Sequence, residues 1–126
     1  RLVDEIEQRR KRGAQRYAAA AAVANVVDAL KLVHEEDGGS PVLRDDLVMD
    51  RYEREVFGLL VRQGDLPGVL LKIDECMAQA LVALGGADTV LGRELQRLST
   101  DVQQASTLEE LKPLLATLKD YLKAIQ

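Results

Sequence analysis

The sequence is poor in the residues that build most catalytic and metal sites. Its 126 residues include one histidine, one cysteine and no tryptophan. A single cysteine cannot form a disulfide within the chain, which favours a reducing, cytoplasmic compartment. Structural zinc sites need several Cys or His ligands, and di-iron bundles need paired Glu-x-x-His motifs; the sequence has neither. We therefore expect no metal and no cofactor.

The few chemical candidates have simpler structural interpretations. Cys76 lies beside apolar helix positions, so we expect an inert core thiol. His34 falls near the end of a predicted helix, where an imidazolium suits the helix dipole. Asp46, Asp50 and Glu53 share a face of another predicted helix, but interleaved arginines favour a solvated face over a cation site. Phosphate-binding glycine motifs are missing from the sequence. The sequence thus predicts a protein that is not an enzyme.

Aromatic residues and strand signals are also scarce. Aromatics make up 3% of the chain, and no alternating Val, Ile or Thr run is bounded by Asn-Gly or Asp-Gly. A core built from Leu, Val, Ile and Ala suits close-packed helices. The chain is 47% apolar and 30% charged, as in folded globular domains. Uninterrupted apolar runs stay well below the ~20 residues of a membrane span, so membrane contact is not expected.

Apolar positions three and four residues apart predict five helices. The first runs from Arg1 to about Glu36, and the others cover about Arg44–Gln63, Leu66–Leu84, Asp88–Gln104 and the segment after Ser106. Pro113 predicts a kink or a late start in the last of these. Short connections favour antiparallel neighbours, so the predicted fold is an all-α, up-and-down bundle of four shorter helices. The long first helix, about 50 Å at ~1.5 Å per residue, must extend beyond that bundle.

The first helix divides into two parts of different composition. Residues 1–16 carry six basic and three acidic side chains and few apolar ones, which predicts a charged helical connector ahead of a bundle domain at residues 17–126. Residues 18–24 are small and permit close approach of another helix. The helix either packs along the bundle or pairs with another copy, and Gly13 is its predicted weak point. The predicted interface consists of Leu2, Ile6, Gly13, Tyr17, Ala20, Ala24 and Val27.

The charge distribution argues against nucleic-acid binding. The net charge is −4, and acidic residues stand directly before the basic cluster at Arg9–Arg12. A nucleic-acid groove normally adds stacking aromatics, which are missing beside this cluster. Mixed charges of this kind are typical of the flanks of a paired helix.

Two stretches resemble parts of bacterial signalling proteins. The sequence from Leu2 to Arg12 resembles the charged signalling helices that join modules in bacterial sensors. The segment from Tyr52 to Ile125, with Ser106-Thr-Leu-Glu-Glu-Leu-Lys-Pro113, resembles the helical regulatory segments found ahead of GGDEF-type diguanylate cyclase domains. Such segments are thought to hold two cyclase domains together or apart in a dimer. The cyclase signature itself is missing, because Gly85-Gly86-Ala87-Asp88 departs from it, and no catalytic residue is carried over.

These features predict a non-catalytic regulatory or interaction domain of a larger bacterial signalling protein. We expect a homodimer that acts on adjacent domains of the same chain, such as a diguanylate cyclase, or on a protein partner. The start without methionine and the end within a helical pattern also favour a piece of a longer chain. Two alternatives stay open: a bundle that senses a small molecule in an apolar pocket, and an adaptor or chaperone that binds a partner helix in a groove.

Overall fold

The computed structural model describes residues 1–34 and 50–125 of the chain. Every regular element within these ranges is helical, which confirms the all-α bundle. The elements are α1 (Leu2–His34), α2 (Arg51–Arg62), α3 (Leu66–Ala83), α4 (Val90–Gln103), a 3-10 turn (Leu108–Leu111) and α5 (Leu114–Ile125). The predicted first loop, Asp37 to Pro41, lies outside the described residues.

The long helix α1 is continuous through Gly13 and is the element around which the others pack. It contacts α2, α3, α5 and the 3-10 turn. Nearly every residue from Ala19 to Val33 is buried or partly buried, including Ala19, Val23, Val26 and Leu30 at 0% exposure. Of the two arrangements left open by the sequence, this half of α1 therefore packs along its own bundle, as its central member.

Helices α3, α4 and α5 alternate in direction, as the short connections predict, and α1 is antiparallel to α3. Residues near the middle of α3 (Ile73, Cys76) lie beside Asn25 and Ala29 of α1, whereas the end of α3 lies beside Arg12 and Arg16, so the two helices are antiparallel. At the far end of the pair α3–α4, the Gln103 side-chain amide donates to the Leu70 carbonyl at 3.2 Å. The Tyr121 hydroxyl on α5 donates to the Leu91 carbonyl on α4 at 2.7 Å. The α3–α4 turn and the end of α5 consequently meet α1 near its midpoint.

Side-chain caps define where three of the helices begin. Asp65 accepts from the Gly68 N–H and caps α3, which begins at Leu66 as predicted. Asp50 has an extended backbone and accepts from the Glu53 N–H, so α2 begins at Arg51. The predicted start at about Arg44 was therefore wrong, although residues 44–49 themselves lie outside the described part. The reason is that a cap residue must leave the helical conformation to offer its carboxylate.

The third cap, at the start of α4, was not predicted. Thr89 accepts from the Gly92 N–H and donates to the Gly86 carbonyl. Gly85 and Gly86 take φ values of 89° and 98°, a region that residues with a Cβ rarely adopt, and so reverse the chain after α3. Helix α4 begins at Val90, two residues later than predicted, because Thr89 has an extended backbone and caps the helix.

The predicted late start at Pro113 is confirmed. The residues before it, Leu108–Leu111, form the 3-10 turn, and α5 begins at Leu114. Proline has no N–H to donate, and its ring clashes with the backbone of the preceding helical turn. The 3-10 turn and α5 are therefore separate segments. Ahead of the 3-10 turn the Glu110 carboxylate accepts from the Ser106 N–H, whereas Thr107 makes no side-chain cap bond.

By length and composition alone, α1 could cross a membrane. Its most apolar 18-residue window has a mean hydropathy of 1.2, and 61% of that window is buried in the structure. A core helix and a signal sequence near the N-terminus have the same composition. In this structure the apolar side chains of the window pack against the other helices of the chain.

Candidate interaction surface

The first half of α1 extends away from the bundle. Residues 1–18 are all exposed, and the first buried residue is Ala19. We call residues 1–18 the projecting half of α1; at ~1.5 Å per residue it is about 27 Å long. An exposed helical segment of this length gains little stability from its own hydrogen bonds. Packing against another helix would therefore stabilise this half, which its own bundle leaves exposed.

The projecting half carries an apolar stripe on one face. Leu2 is 73% exposed, Ile6 46% and Tyr17 77%, and they share this face with Gly13. The spacing of these four positions keeps them within about a 60° sector at ~100° per residue. We call Leu2, Ile6, Gly13 and Tyr17 the apolar stripe. Its exposure contrasts with the rest of α1, where every large apolar side chain is buried.

The other three residues of the predicted interface lie deeper in the structure. Ala20 is partly buried, and Ala24 and Val27 are buried at 8% and 4% exposure. The helices that cover Ala24 and Val27 belong to the same chain. The structure thus divides the predicted set into four positions open to another molecule, one at the boundary and two in the core.

A groove continues the apolar stripe into the bundle. It has a volume of about 420 Å³ and lies between the middle of α1 and Ile125, the last residue of α5. Its α1 wall includes four of the seven predicted interface residues, together with a basic side chain and a further alanine: Gly13, Tyr17, Ala20, Ala24, Arg16 and Ala21. The small residues make the groove open, because they leave room that larger side chains would fill.

A second groove lies on another side of α1 at the same height. It has a volume of about 330 Å³ and separates Arg12, Gln15 and Arg16 from the α3–α4 turn. Val90, the first residue of α4, lies at the rim of this groove and is 80% exposed. Val82 on α3 is also 80% exposed. Sequence reasoning missed this groove, because it needs the end of α3 to be placed beside residues twelve positions into α1.

The charges of the projecting half fall into two blocks. After Arg1 at the first position, acidic residues occupy positions 4, 5 and 7, and basic residues occupy positions 9 to 12 and 16. The Arg12 guanidinium donates to the Gln8 carbonyl within the same helix at 3.4 Å. The predicted weak point, Gly13, has nothing within 4 Å of the position that a Cβ would occupy. The surface is thus an amphipathic helix with an acidic start and a basic end.

The only cysteine has low reactivity in this structure. Cys76 is half-buried and lines a cleft of about 90 Å³ between α1, α2 and α3, together with Asn25, Glu53 and Glu75. Burial, followed by the charges of Glu53 and Glu75, raises the pKa of its thiol, which disfavours the nucleophilic thiolate. The cleft is small beside the 300–1,000 Å³ typical of ligand pockets. It therefore lends no support to a small-molecule sensor.

The remaining predicted candidates stand apart from one another. His34 is exposed at the last residue of α1. Asp50 caps α2 and so leaves the predicted acidic face, while Asp46 lies outside the described residues. Among residues 1–34 and 50–125, no group of three or more His, Cys, Asp or Glu side chains is placed to hold a metal ion. The chain matches no protein-family model, and no curated protein and no solved structure matches it significantly.

Proposed function

We propose that the protein is a non-catalytic interaction domain that joins two copies of the chain through the projecting half of α1. The observation that carries the proposal is the exposure of Leu2, Ile6 and Tyr17 on one face of a helix that extends beyond its own bundle. An apolar stripe flanked by charges is the pattern of a helix that pairs with another helix. Pairing buries these side chains and gives the projecting half the packing that its own chain does not provide.

The groove beside the apolar stripe supports a regulatory role for this pairing. Ile125 lines the groove, so an occupant near Tyr17 and Ala20 lies beside the last residue of α5. A change in the pairing of α1 is thereby transmitted to the end of the bundle. We propose that an adjacent output domain of a larger signalling protein, such as a diguanylate cyclase, responds to it; this step rests on the resemblance of the sequence to cyclase-associated helical segments.

Light scattering combined with size-exclusion chromatography tests the pairing. We expect a concentration-dependent dimer at high micromolar concentration. Ile6→Glu and Tyr17→Glu each place a charge in the apolar stripe and should shift the chain to monomer. Leu71→Glu is the matched control, because Leu71 on α3 is also a large exposed apolar residue, at 60%, but lies outside α1. A wild-type chain that stays monomeric at several hundred micromolar would contradict the proposal.

A second candidate function is binding of a partner helix on α2. Tyr52 and Leu59, seven residues apart on one face of α2, are 75% and 48% exposed, and the partly buried Val56 lies between them. Anchors at this spacing are typical of a helix laid against a groove. Tyr52→Glu separates the two functions: it should leave an α1-mediated dimer intact and abolish pairing through α2.

A further inference from the structure

The apolar stripe has a symmetric spacing. Leu2, Ile6, Gly13 and Tyr17 are separated by four, seven and four residues, so the series reads the same in both directions. Its midpoint lies between Arg9 and Arg10. A second copy placed antiparallel about that midpoint sets Leu2 against the partner's Tyr17 and Ile6 against the partner's Gly13. The open space around Gly13 leaves room for a branched side chain there.

The charges flanking the apolar stripe also favour an antiparallel partner. At ~100° per residue, Glu5 lies along one edge of the stripe with Arg12 and Arg16, and Glu7 lies along the other edge with Arg10. In an antiparallel pair each edge faces the same edge of the other helix. Glu5 then lies between Arg12 and Arg16 of the partner subunit, and Glu7 approaches Arg10 of the partner subunit.

A parallel pair has the opposite electrostatics. Each edge then faces the other edge at the same height, which brings Glu5 near the partner's Glu7. Like charges at such positions destabilise a helix pair, and opposite charges stabilise it by similar amounts. Arg9 and Arg10 approach their counterparts in both arrangements, so the midpoint does not distinguish them.

From the symmetric spacing and the opposed charge blocks we infer that the projecting halves of two chains pair antiparallel, with the twofold axis between Arg9 and Arg10. The inference rests on the proposed function and specifies its geometry. It places the two bundles at opposite ends of a short two-helix bridge. The N-terminal residues of each chain, Leu2 and Val3, reach Tyr17 of the partner subunit, in the groove that Ile125 lines. The groove is thus occupied in part by the partner's first turn.

Disulfide cross-linking tests the direction of pairing. Cys76→Ser first removes the native thiol, and Val3→Cys and Ala14→Cys are then made in separate chains. Both positions are exposed and lie along the same edge of the apolar stripe, and neither carries a charge. Antiparallel pairing brings Val3 close to the partner's Ala14, so the mixture should cross-link. Each variant alone should not, because its two copies are separated along the helix by roughly 14–20 Å at ~1.5 Å per residue, beyond disulfide reach.

Charge reversal within one chain supplies an independent readout. Glu5→Arg with Glu7→Arg should raise the dimer dissociation constant about tenfold or more, since every flanking attraction becomes a repulsion. Adding Arg10→Glu, Arg12→Glu and Arg16→Glu to the same chain should restore the constant to within a fewfold of wild type. Asp4→Arg is the matched control, because Asp4 lies on the face opposite the apolar stripe, and it should leave the constant within about threefold.

The possible outcomes separate this inference from the proposed function. A dimer whose mixture of Val3→Cys and Ala14→Cys chains fails to cross-link overturns the inference, while the proposed function stands. The inference is also overturned if reversing both charge blocks in one chain fails to restore the dimer dissociation constant. A chain that is monomeric in light scattering contradicts the proposed function itself. Two results together support the inference and the proposed function. The Val3→Cys and Ala14→Cys mixture cross-links, and the chain with both charge blocks reversed recovers the wild-type dissociation constant.

Discussion

The two halves of α1 belong to one uninterrupted helix and have opposite environments. Ala18 is exposed, and the next residue, Ala19, is completely buried. The projecting half carries nine charged side chains, whereas residues 19–34 carry only Asp28 and Lys31, with the histidine at the end. Both halves have enough helix propensity to continue the backbone hydrogen bonds. The comparison shows that two different properties of the sequence are at work. Local helix propensity determines whether the backbone continues as a helix, and side-chain polarity determines which part of that helix is buried in the core.

The sharpest way to test the comparison is to truncate one large apolar side chain in each half. Leu30→Ala should lower the free energy of unfolding by about 2–5 kcal/mol, because Leu30 is completely buried and its removal leaves a cavity. Ile6→Ala should change it by less than about 0.5 kcal/mol in the monomer, since Ile6 is 46% exposed. Urea denaturation at low micromolar concentration measures both values. Equal losses would show that the projecting half is packed in the monomer.

The turn beside the midpoint of α1 offers the next largest effect. A Cβ at Gly92 would lie 2.0 Å from the Gly86 carbonyl oxygen and 2.7 Å from the Thr89 hydroxyl. Gly92→Ala must therefore displace the backbone of the turn and the cap of α4, at a cost of about 1–3 kcal/mol. Thermal unfolding measures the loss, with Gln96→Ala as an exposed control in the same helix. An unchanged midpoint temperature would mean that the turn is less tightly packed than described.

Alkaline pH should lower the stability of the bundle through Tyr121 on α5. Burial, followed by the charge of Glu94, raises the pKa of Tyr121 from 10.0 to about 12. The native state then holds the phenol proton more tightly than the unfolded state. Stability is complete below pH 10 and falls as the pH rises toward 12, by up to roughly 2 kcal/mol. Denaturation of wild type and Tyr121→Phe at pH 9 and 11 should give a steeper loss for wild type. Parallel losses would contradict this assignment.

The smallest expected effect concerns the projecting half itself. Gly13 lies inside a helix with open space around it, so Gly13→Ala should stabilise the helix by about 0.5–1 kcal/mol. Hydrogen exchange of the amides in residues 5–16 should slow, and that of residues 19–33 should stay unchanged. The same substitution, Gly to Ala, thus has opposite signs at positions 13 and 92. Faster exchange near residue 13 would mean that the glycine accommodates a bend.

The sequence predicted most helix boundaries because their signals are local. Asp65 before Leu66 and Pro113 before Leu114 act on backbone groups within one turn, and both were confirmed. The start of α2 was placed too early, since an apolar pattern does not reveal that Asp50 leaves the helix to cap it. Thr89 was missed because the apolar spacing placed the start of α4 at about Asp88. Choosing between neighbouring caps depends on the path of the chain through Gly85 and Gly86.

The candidate surface was predicted only in part. The sequence identified the apolar stripe from its spacing and its position in a charged segment. It also assigned Ala24 and Val27 to the same surface, because their spacing continues that of Leu2 and Tyr17. The structure separates them: α1 enters the bundle after Ala18, and everything beyond is covered by the chain itself. Periodicity gives the face of a helix but contains no information on how far along that face another element reaches.

The sequence by itself determined the all-α class, the helical character of α1 and the charge blocks of its projecting half, whereas the structure showed that α1 continues through Gly13. These follow from propensity, helical spacing and residue type, which act over a few residues. Only the tertiary structure decided which half of α1 is the core and where the grooves lie. Both depend on bringing α3 and α5 back to the middle of α1, with Leu84 and Ile125 beside residues 12–24. Contacts between residues so distant in the chain are set by the packing of whole helices rather than by any local pattern.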